Sequence, residues 1–229
     1  MTKLLINGVL YEKKQINLNI TPLKRIKKDI IAIVIHYTAN PGASADNHFN
    51  YWNWTKRKSS CDVVIDQTKI LKINDWYKNY TWHVGDGKGK YGYLNSNTIG
   101  IEMCINKDGD FDKKTIENAI IFIRYLHKKG FTKKLIRHYD ASRKLCPLKF
   151  VNLNIKGYNK AYTDFRNKVF AKDEKELYEN YKNLKWLYEK EFIKGKDYMS
   201  DEKHKYFTCE QTATIFKKIY ENIMYEVKK

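Results

Sequence analysis

The stretch IIAIVIHY, residues 30–37, decides the fold of this chain of 229 residues. Its apolar run is rich in β-branched residues and is interrupted only by His36 near its end. A continuous apolar run of this length is typical of a strand buried on both faces of a sheet. The stretch therefore predicts a central strand with His36 at its carboxyl end.

Further elements follow from hydrophobic periodicity, turn residues and helix caps. The sequence predicts strands over 4–11 (with a turn at Asn7-Gly8), 61–66, 70–73 and 98–105, and helices over 45–57, 113–129 and 158–170. Residues 76–97 show no periodicity and predict a long functional connection. We expect an α/β fold, a mixed central β-sheet flanked by helices.

Two histidines and a cysteine form a candidate metal-ligand set. His36 ends the central strand, while His138 and Cys146 lie in RHYDASRKLCP, residues 137–147. Two imidazoles and a thiolate suit zinc and leave a fourth tetrahedral position for water, which is typical of catalytic sites. The set indicates a hydrolase, although a single histidine at a strand end is more often a packing or surface residue.

Four motifs together resemble one known family. IVIHYTAN, WHVGD, NTIGIEMC and RHYDASRKLCP, in this order, resemble the zinc-dependent N-acetylmuramoyl-L-alanine amidases of phage endolysins and bacterial autolysins, relatives of the peptidoglycan recognition proteins. The resemblance covers about residues 30–170. It implies that His36, His138 and Cys146 hold Zn²⁺, and that the amide between muramic acid and L-alanine is hydrolysed by a zinc-activated water.

The resemblance also assigns catalytic roles to Glu102 and Lys144. In TIGIEMCI, residues 98–105, the two-residue period places Glu102 on the face opposite the isoleucines, where it can face a cleft and act as the base. Lys144 matches a family lysine near the developing oxyanion. The alternatives are a structural glutamate paired with a lysine and a solvated loop lysine.

Trp82 and His83, in WHVGD, match a loop that lines the substrate groove in the family. We expect both to bind substrate, with His83 donating or accepting a hydrogen bond at the peptide stem. The alternative for His83 is that it holds its own loop in place.

The net charge of +18 is concentrated before residue 171. Residues 1–170 contain 31 Lys and Arg against 14 Asp and Glu, whereas residues 171–229 contain 13 against 12. Such a field attracts polyanions. Anionic wall polymers fit the resemblance, whereas no nucleic-acid-binding motif supports DNA or RNA as the partner. A non-catalytic peptidoglycan-binding relative and a basic nucleic-acid-binding protein remain the alternative functions.

The composition changes from basic to mixed charge at 171–174. This change predicts a catalytic zinc amidase domain over 1–170 and a small helical C-terminal module over 171–229. The stripes of apolar residues in the module predict two helices. We expect the module to bind the cell wall or to mediate homo-oligomerisation.

The cysteines and the N-terminus indicate where the protein accumulates. Cys61, Cys104, Cys146 and Cys209 show no disulfide-framework spacing, and we expect them to be reduced. The N-terminus lacks the apolar core of a signal peptide, and no apolar run is long enough for membrane insertion. We therefore expect cytoplasmic accumulation, with action on the bacterial wall after release.

Overall fold

The computed structural model describes residues 2–151 and 160–171. The strands in these residues are β1 (Thr2–Ile6), β2 (Val9–Lys13), β3 (Ile20–Pro22), β4 (Ala32–Tyr37), β5 (Val63–Ile65), β6 (Lys69–Lys72), β7 (Asn79–Thr81), β8 (Thr98–Met103) and β9 (Leu135–Arg137). Seven of them form one sheet in the order β1-β2-β6-β5-β8-β4-β9, and β3 pairs with β7 separately.

Helices cover both faces of the large sheet. They are α1 (Ala45–Trp54), α2 (Lys113–Lys128), the short α3 (His138–Ser142) and α4 (Lys160–Phe170). Helices α2 and α4 pack on one face with the largest apolar cluster, whereas α1 and α3 contribute to two smaller clusters on the other. The large sheet combines parallel and antiparallel pairs, so the predicted α/β class with a mixed central sheet is confirmed.

Strand β4 occupies the central position that its sequence predicts. It pairs in parallel with β8 on one side and with β9 on the other. Ile33 and Ile35 pack under α2, while Ala32 and Val34 pack on the opposite face. Both faces are therefore buried, which explains the continuous apolar run.

The helix caps and the first turn also follow the sequence. The Ser44 hydroxyl accepts a hydrogen bond from Asn47 N at the start of α1, and Asp112 caps α2 in the same way. Asn7 and Gly8 have positive φ angles of 47° and 82° and join β1 to β2 as an antiparallel hairpin. Because two such residues suit a tight hairpin turn, the Asn-Gly pair sets this register.

Some elements were not predicted. Strands β3, β7 and β9 have three residues each, and α3 has five, too few for hydrophobic periodicity to identify. Strand β7 and two short 3₁₀ helices lie in the stretch 76–97 that was predicted to be irregular. The C-terminal module and the domain boundary after residue 170 concern residues mostly outside the described part and stay predictions. Within the described residues, no helix is both long and apolar enough to cross a membrane.

Lys69 connects three elements through buried or partly buried ion pairs. Its Nζ lies 3.2 Å from Glu12 Oε2 on β2 and 2.6 Å from Asp46 Oδ2 on α1. The Glu12 side chain is only 2% exposed and is also paired with Lys3. Since a buried carboxylate is costly without a counter-charge, Lys69 fixes the hairpin and α1 against β6.

Replacing Lys69 by methionine should destabilise the protein by roughly 1–3 kcal/mol near neutral pH, because Glu12 would stay buried with one cation fewer. Burial raises the pKa of Glu12, but hydrogen bonds from Lys3 and Lys69 lower it, and its net pKa lies below the ordinary value. This contribution is present above the unfolded carboxyl pKa of about 4.3 and is lost as the pH falls. The difference between wild type and variant should therefore shrink in acid.

Urea unfolding at neutral pH and at about pH 4 measures this effect. The matched control is Lys78→Met, since Lys78 is 80% exposed and pairs only loosely with Asp75. Equal destabilisation by the two substitutions would contradict the role given to Lys69.

Candidate functional site

Three parallel strands bring the chemistry-bearing residues to one edge of the sheet. His36 on β4 and Glu102 on β8 are direct partners in register, and His138 follows β9 immediately. Parallel strands present their carboxyl ends on one side, where α/β proteins commonly bind ligands. Residues far apart in sequence therefore meet at this edge.

The predicted ligands His36, His138 and Cys146 form a compact cluster. One possible ligand atom from each lies within 4.8 Å of the others, and all three residues are buried. The His36 Nδ1 atom is 3.8 Å from Cys146 Sγ. This separation leaves space for an ion between the donors.

A tight loop carries Cys146 back towards the strands. After α3, Arg143 adopts a left-handed conformation with φ of 70°. Tyr139 N then donates to the Cys146 carbonyl oxygen at 2.9 Å. The seven residues between His138 and Cys146 thus form a closed turn that returns the thiol to the imidazole.

Asp86 orients His138. The His138 Nε2 atom lies 2.8 Å from Asp86 Oδ1, and Ser142 Oγ donates to Asp86 Oδ2 at 3.1 Å. The His138 Nδ1 atom is buried and has no hydrogen-bond partner among the described residues. When a carboxylate accepts the proton of one ring nitrogen, the other ring nitrogen keeps a free lone pair that can ligate a metal.

Gly87 allows the Asp86 loop to approach α3 closely. A Cβ at residue 87 would lie 2.4 Å from the Ala141 carbonyl oxygen. Any side chain would therefore push Asp86 away from His138. This requirement explains the glycine that follows the WHVGD motif.

His83 lies beneath His36 and is 7% exposed. Its Nδ1 atom is 3.1 Å from His36 Nε2, and its Nε2 atom is 3.1 Å from Thr98 Oγ1. Both ring nitrogens are therefore within hydrogen-bond distance of protein atoms. This geometry favours a role in holding His36 over a hydrogen bond to the peptide stem.

Burial sets the protonation of the cluster. It lowers the pKa of His36 well below the ordinary value, with His138, His83 and Lys144 adding to the shift. It also lowers the pKa of His138 despite Asp86, and raises the pKa of the Cys146 thiol. Neutral imidazoles are ready to ligate, and a bound cation would stabilise the thiolate.

Glu102 faces the same cleft. Its Oε2 atom is shielded from solvent and has no hydrogen-bond partner in the described residues. Burial raises the pKa of Glu102 to about 8, and the ammonium of Lys144 opposes this shift. Lys144 itself is exposed at the cleft edge. A carboxyl with such a pKa can exchange a proton near neutral pH.

A cleft of about 470 Å³ extends from this cluster along α1. The cleft wall farther from the strands is formed by Trp82, Tyr51 and Trp52, whereas Glu102 and Lys144 lie at the end nearest the strands. Aromatic faces suit sugars and peptides. The cleft therefore combines a polar reaction end with an apolar binding wall.

The donor set fits zinc. Two neutral imidazoles and one thiol, all buried, are ligand types that Zn²⁺ binds in sites with an open fourth position. The unpartnered His138 Nδ1 atom is a polar group that a cation would satisfy. The arrangement therefore defines a candidate metal-dependent hydrolytic site.

The structure brings together all seven residues predicted for the site: His36, Trp82, His83, Glu102, His138, Lys144 and Cys146 line one cleft. Sequence reasoning missed Asp86, although it lies in the WHVGD motif, and Asp62, which is fully buried. The Asp62 carboxylate accepts from Gly100 N and Thr81 Oγ1 at 2.8 and 3.0 Å. A charged residue in the apolar run 61–65 was the signal for a buried polar contact.

Comparison with known proteins agrees with this site. A family model described as N-acetylmuramoyl-L-alanine amidase (Amidase_2) matches residues 27–149, more than half of the chain. The chain therefore belongs to the Amidase_2 family. The family resemblance seen in the sequence is confirmed.

Curated relatives include two Bacillus enzymes. The chain is 34% identical over 158 residues to the N-acetylmuramoyl-L-alanine amidase BlyA of Bacillus subtilis (strain 168), covering 61% of this chain and 41% of BlyA. It is 37% identical over 149 residues to CwlL of Bacillus licheniformis, covering 60% of this chain and 40% of CwlL. The chain thus spans about two fifths of the length of these relatives.

Solved structures match over a larger share of their own length. The catalytic domain of XlyA, at 28% identity and a TM-score of 0.55, is covered to 98% and matches 69% of this chain. PlyL, at 27% identity and a TM-score of 0.52, is covered to 86% and matches 63% of this chain. The fold described above is therefore that of an amidase catalytic domain.

Gly100 should be required for the position of His83. A Cβ at residue 100 would lie 2.6 Å from His83 Cγ, so Gly100→Ala should destabilise the protein by roughly 1–3 kcal/mol through overpacking. Urea unfolding measures the cost. In a His83→Ala background the same substitution should cost much less, because the clashing ring is absent. Additive effects would contradict the contact.

Proposed function

We propose that this chain is a zinc-dependent hydrolase that cleaves the amide bond between N-acetylmuramic acid and the L-alanine of the stem peptide in peptidoglycan. The observation that carries the proposal is the buried cluster of His36, His138 and Cys146 beside Glu102. Membership of the Amidase_2 family supports the choice of bond. His36 Nδ1, His138 Nδ1 and Cys146 Sγ would hold the zinc ion.

Zinc, when bound, supplies a Lewis acid that polarises the scissile carbonyl and lowers the pKa of a water. The protein holds the two imidazole rings in position through contacts to the nitrogen that faces away from the metal position. Asp86 holds His138 by its Nε2 atom, and His83 contacts the Nε2 atom of His36. The burial of all three donors excludes competing water from the ligand side of the site.

Glu102 would accept the proton of the attacking water and deliver it to the departing amine nitrogen of L-alanine. Its Oε2 atom has no hydrogen-bond partner among residues 2–151 and 160–171, and its pKa of about 8 lets it hold and release a proton near neutral pH. A cation bound by the neighbouring ligands would lower that pKa further and favour the ionised base. No other described carboxylate lines the cleft.

Lys144 would stabilise the negative charge that develops on the carbonyl oxygen. It lies at the cleft beside Glu102 and influences the pKa of His36, His138 and Cys146 through its charge. A fixed ammonium in this position stabilises the transition state more than the neutral ground state. Trp82 would provide an apolar contact for the substrate along the cleft wall.

Peptidoglycan is the proposed macromolecular target, and anionic polymers of the wall are further candidates. The excess of lysine in residues 1–170 supports such an attraction. This contribution would weaken with salt, because screening acts over about 8 Å at physiological ionic strength.

Digestion of purified cell walls tests the proposed reaction. Amidase activity should release new N-terminal alanine without new reducing sugar ends, since only the lactyl-alanine amide is cleaved. New reducing ends without new amino groups would indicate a glycosidase and contradict the proposal.

The protein should bind one zinc ion per chain. Cys146→Ser should lose most of it, because three ligands leave no redundancy. Elemental analysis after dialysis measures the stoichiometry. Cys104→Ala is the matched control, as this buried thiol lies outside the cluster. Full zinc retention by Cys146→Ser would refute the ligand assignment.

Glu102→Gln should retain zinc and the fold but reduce turnover on cell walls by roughly 100-fold, the scale for losing a positioned base. The control is Glu117→Gln on the exposed face of α2, where the glutamate pairs with Lys114. Activity near that of the wild type in Glu102→Gln would leave this carboxylate with a structural role only.

A further inference from the structure

His36 and His138 differ in the group that contacts the ring nitrogen facing away from the proposed metal position. His138 is backed directly by the carboxylate of Asp86, whereas the Nε2 atom of His36 faces another imidazole, that of His83. A neutral imidazole can either donate or accept at a given nitrogen. The hydrogen-bond partners of His83 must therefore determine which nitrogen of His36 carries the proton.

We propose that Thr98 and His83 are positioning residues that hold His36 in the tautomer with its proton on Nε2, which leaves Nδ1 free for the metal. This inference rests on the proposed function, because it assumes that His36 is a zinc ligand. The donor and acceptor of each hydrogen bond in this series are determined by its last member, an atom that can only accept.

The Leu94 carbonyl oxygen is that atom. It lies 2.6 Å from Thr98 Oγ1, so the threonine hydroxyl donates its only proton to this carbonyl. Thr98 is fully buried, and no solvent offers its hydroxyl another acceptor. Towards His83, at 3.1 Å, Thr98 Oγ1 can then only accept a hydrogen bond.

The direction of the hydrogen bond at Thr98 determines the tautomer of His83. Its Nε2 atom must carry the proton that Thr98 accepts, and Asp62 Oδ2 at 4.0 Å favours a proton at the same nitrogen. A neutral imidazole has one N–H, so His83 Nδ1 accepts from His36 Nε2 at 3.1 Å. His36 thereby uses its own single proton and exposes a bare Nδ1 atom 3.8 Å from Cys146 Sγ.

With one proton on each imidazole, each ring has one nitrogen that donates and one that accepts. His36 and His83 are 2% and 7% exposed and lie against each other. Two adjacent buried rings would not both carry charge.

Other contacts hold the backbone of His83 and pack against its ring. Asn95 Oδ1 accepts from His83 N and Val84 N at 2.9 and 2.8 Å. On its other side the ring lies against Gly100, where a Cβ would come within 3.0 Å of three ring atoms. These contacts favour a single orientation of the ring.

The two imidazole ligands are therefore oriented by different means. Asp86 contacts His138 directly with a carboxylate, whereas the groups in direct contact along the His36 side, His83 and Thr98, are neutral, and the Asp62 carboxylate lies 4.0 Å beyond His83 Nε2. A carboxylate behind each ligand would add a second negative charge near the thiolate and Glu102. The contacts through His83 and Thr98 fix the tautomer with no carboxylate directly behind His36.

Thr98→Val tests the proposal, because valine has nearly the same shape but cannot accept from His83. Asp62 remains, but at 4.0 Å it makes no hydrogen bond to His83 Nε2, so the His83 proton can then move to Nδ1 and be donated to His36 Nε2. The His36 proton then moves to Nδ1, where it competes with zinc. Zinc affinity, measured by competition with a chelator, should fall roughly 10-fold or more. Thr98→Ser keeps the hydroxyl and should retain affinity within twofold of the wild type.

Imidazole ¹⁵N NMR of the zinc-free protein provides a second readout that does not depend on activity. In the wild type and in Thr98→Ser, His36 and His83 should both be protonated at Nε2. In Thr98→Val, both rings should populate the Nδ1-protonated form. If the valine variant fails to fold, the wild-type spectrum alone decides, and a proton on His36 Nδ1 there overturns the proposal.

Unchanged zinc affinity in folded Thr98→Val also overturns it, as does an equal loss in valine and serine variants. The outcomes remain separate from those for the proposed function. A wild-type protein that shows the expected tautomers and binds zinc but leaves cell walls intact would contradict the amidase proposal alone. A protein that cleaves walls with the other His36 tautomer would contradict only the role of Thr98 and His83.

Discussion

The parallel pairing of β4 between β8 and β9 is the constraint on which the rest of the site depends. It places His36 beside Glu102 in register and starts the loop of His138 and Cys146 at the next strand end. The main-chain hydrogen bonds between these strands fix the relative positions of the residues that carry the site. Because a shift of one residue would turn His36 into the opposite apolar layer, the buried faces of β4 protect the site as well as the fold.

Burial gives the site its chemical character. It keeps the imidazoles neutral and raises the pKa of Cys146, and within the described part of the chain it leaves His138 Nδ1 and Glu102 Oε2 without hydrogen-bond partners. The two unpartnered polar atoms are unfavourable in isolation, and a divalent cation with its water would satisfy both of them. The polar contacts beneath the cluster, from Asp86 and from His83, orient the donors without closing the space that such an ion needs.

Much of this arrangement could be predicted from the sequence, and the exceptions have a physical reason. The run IIAIVIHY and the alternation in TIGIEMC carry strong local patterns, so β4, β8 and the placement of Glu102 followed from periodicity. The caps Ser44 and Asp112 located the starts of α1 and α2. Strand β9 and α3 are too short to have a pattern of their own. The contacts of Asp86 with His138 and of His83 with Gly100 depend on chain segments brought together only by the fold.

X-ray absorption at the zinc edge, on protein loaded with one equivalent of zinc, tests the central claim most directly. The arrangement of His36, His138 and Cys146 predicts two nitrogen ligands at about 2.0–2.1 Å, one sulfur ligand at about 2.3 Å and one further light-atom ligand. A spectrum without sulfur, or one with more than one sulfur ligand, would contradict a metal centre built from these three residues.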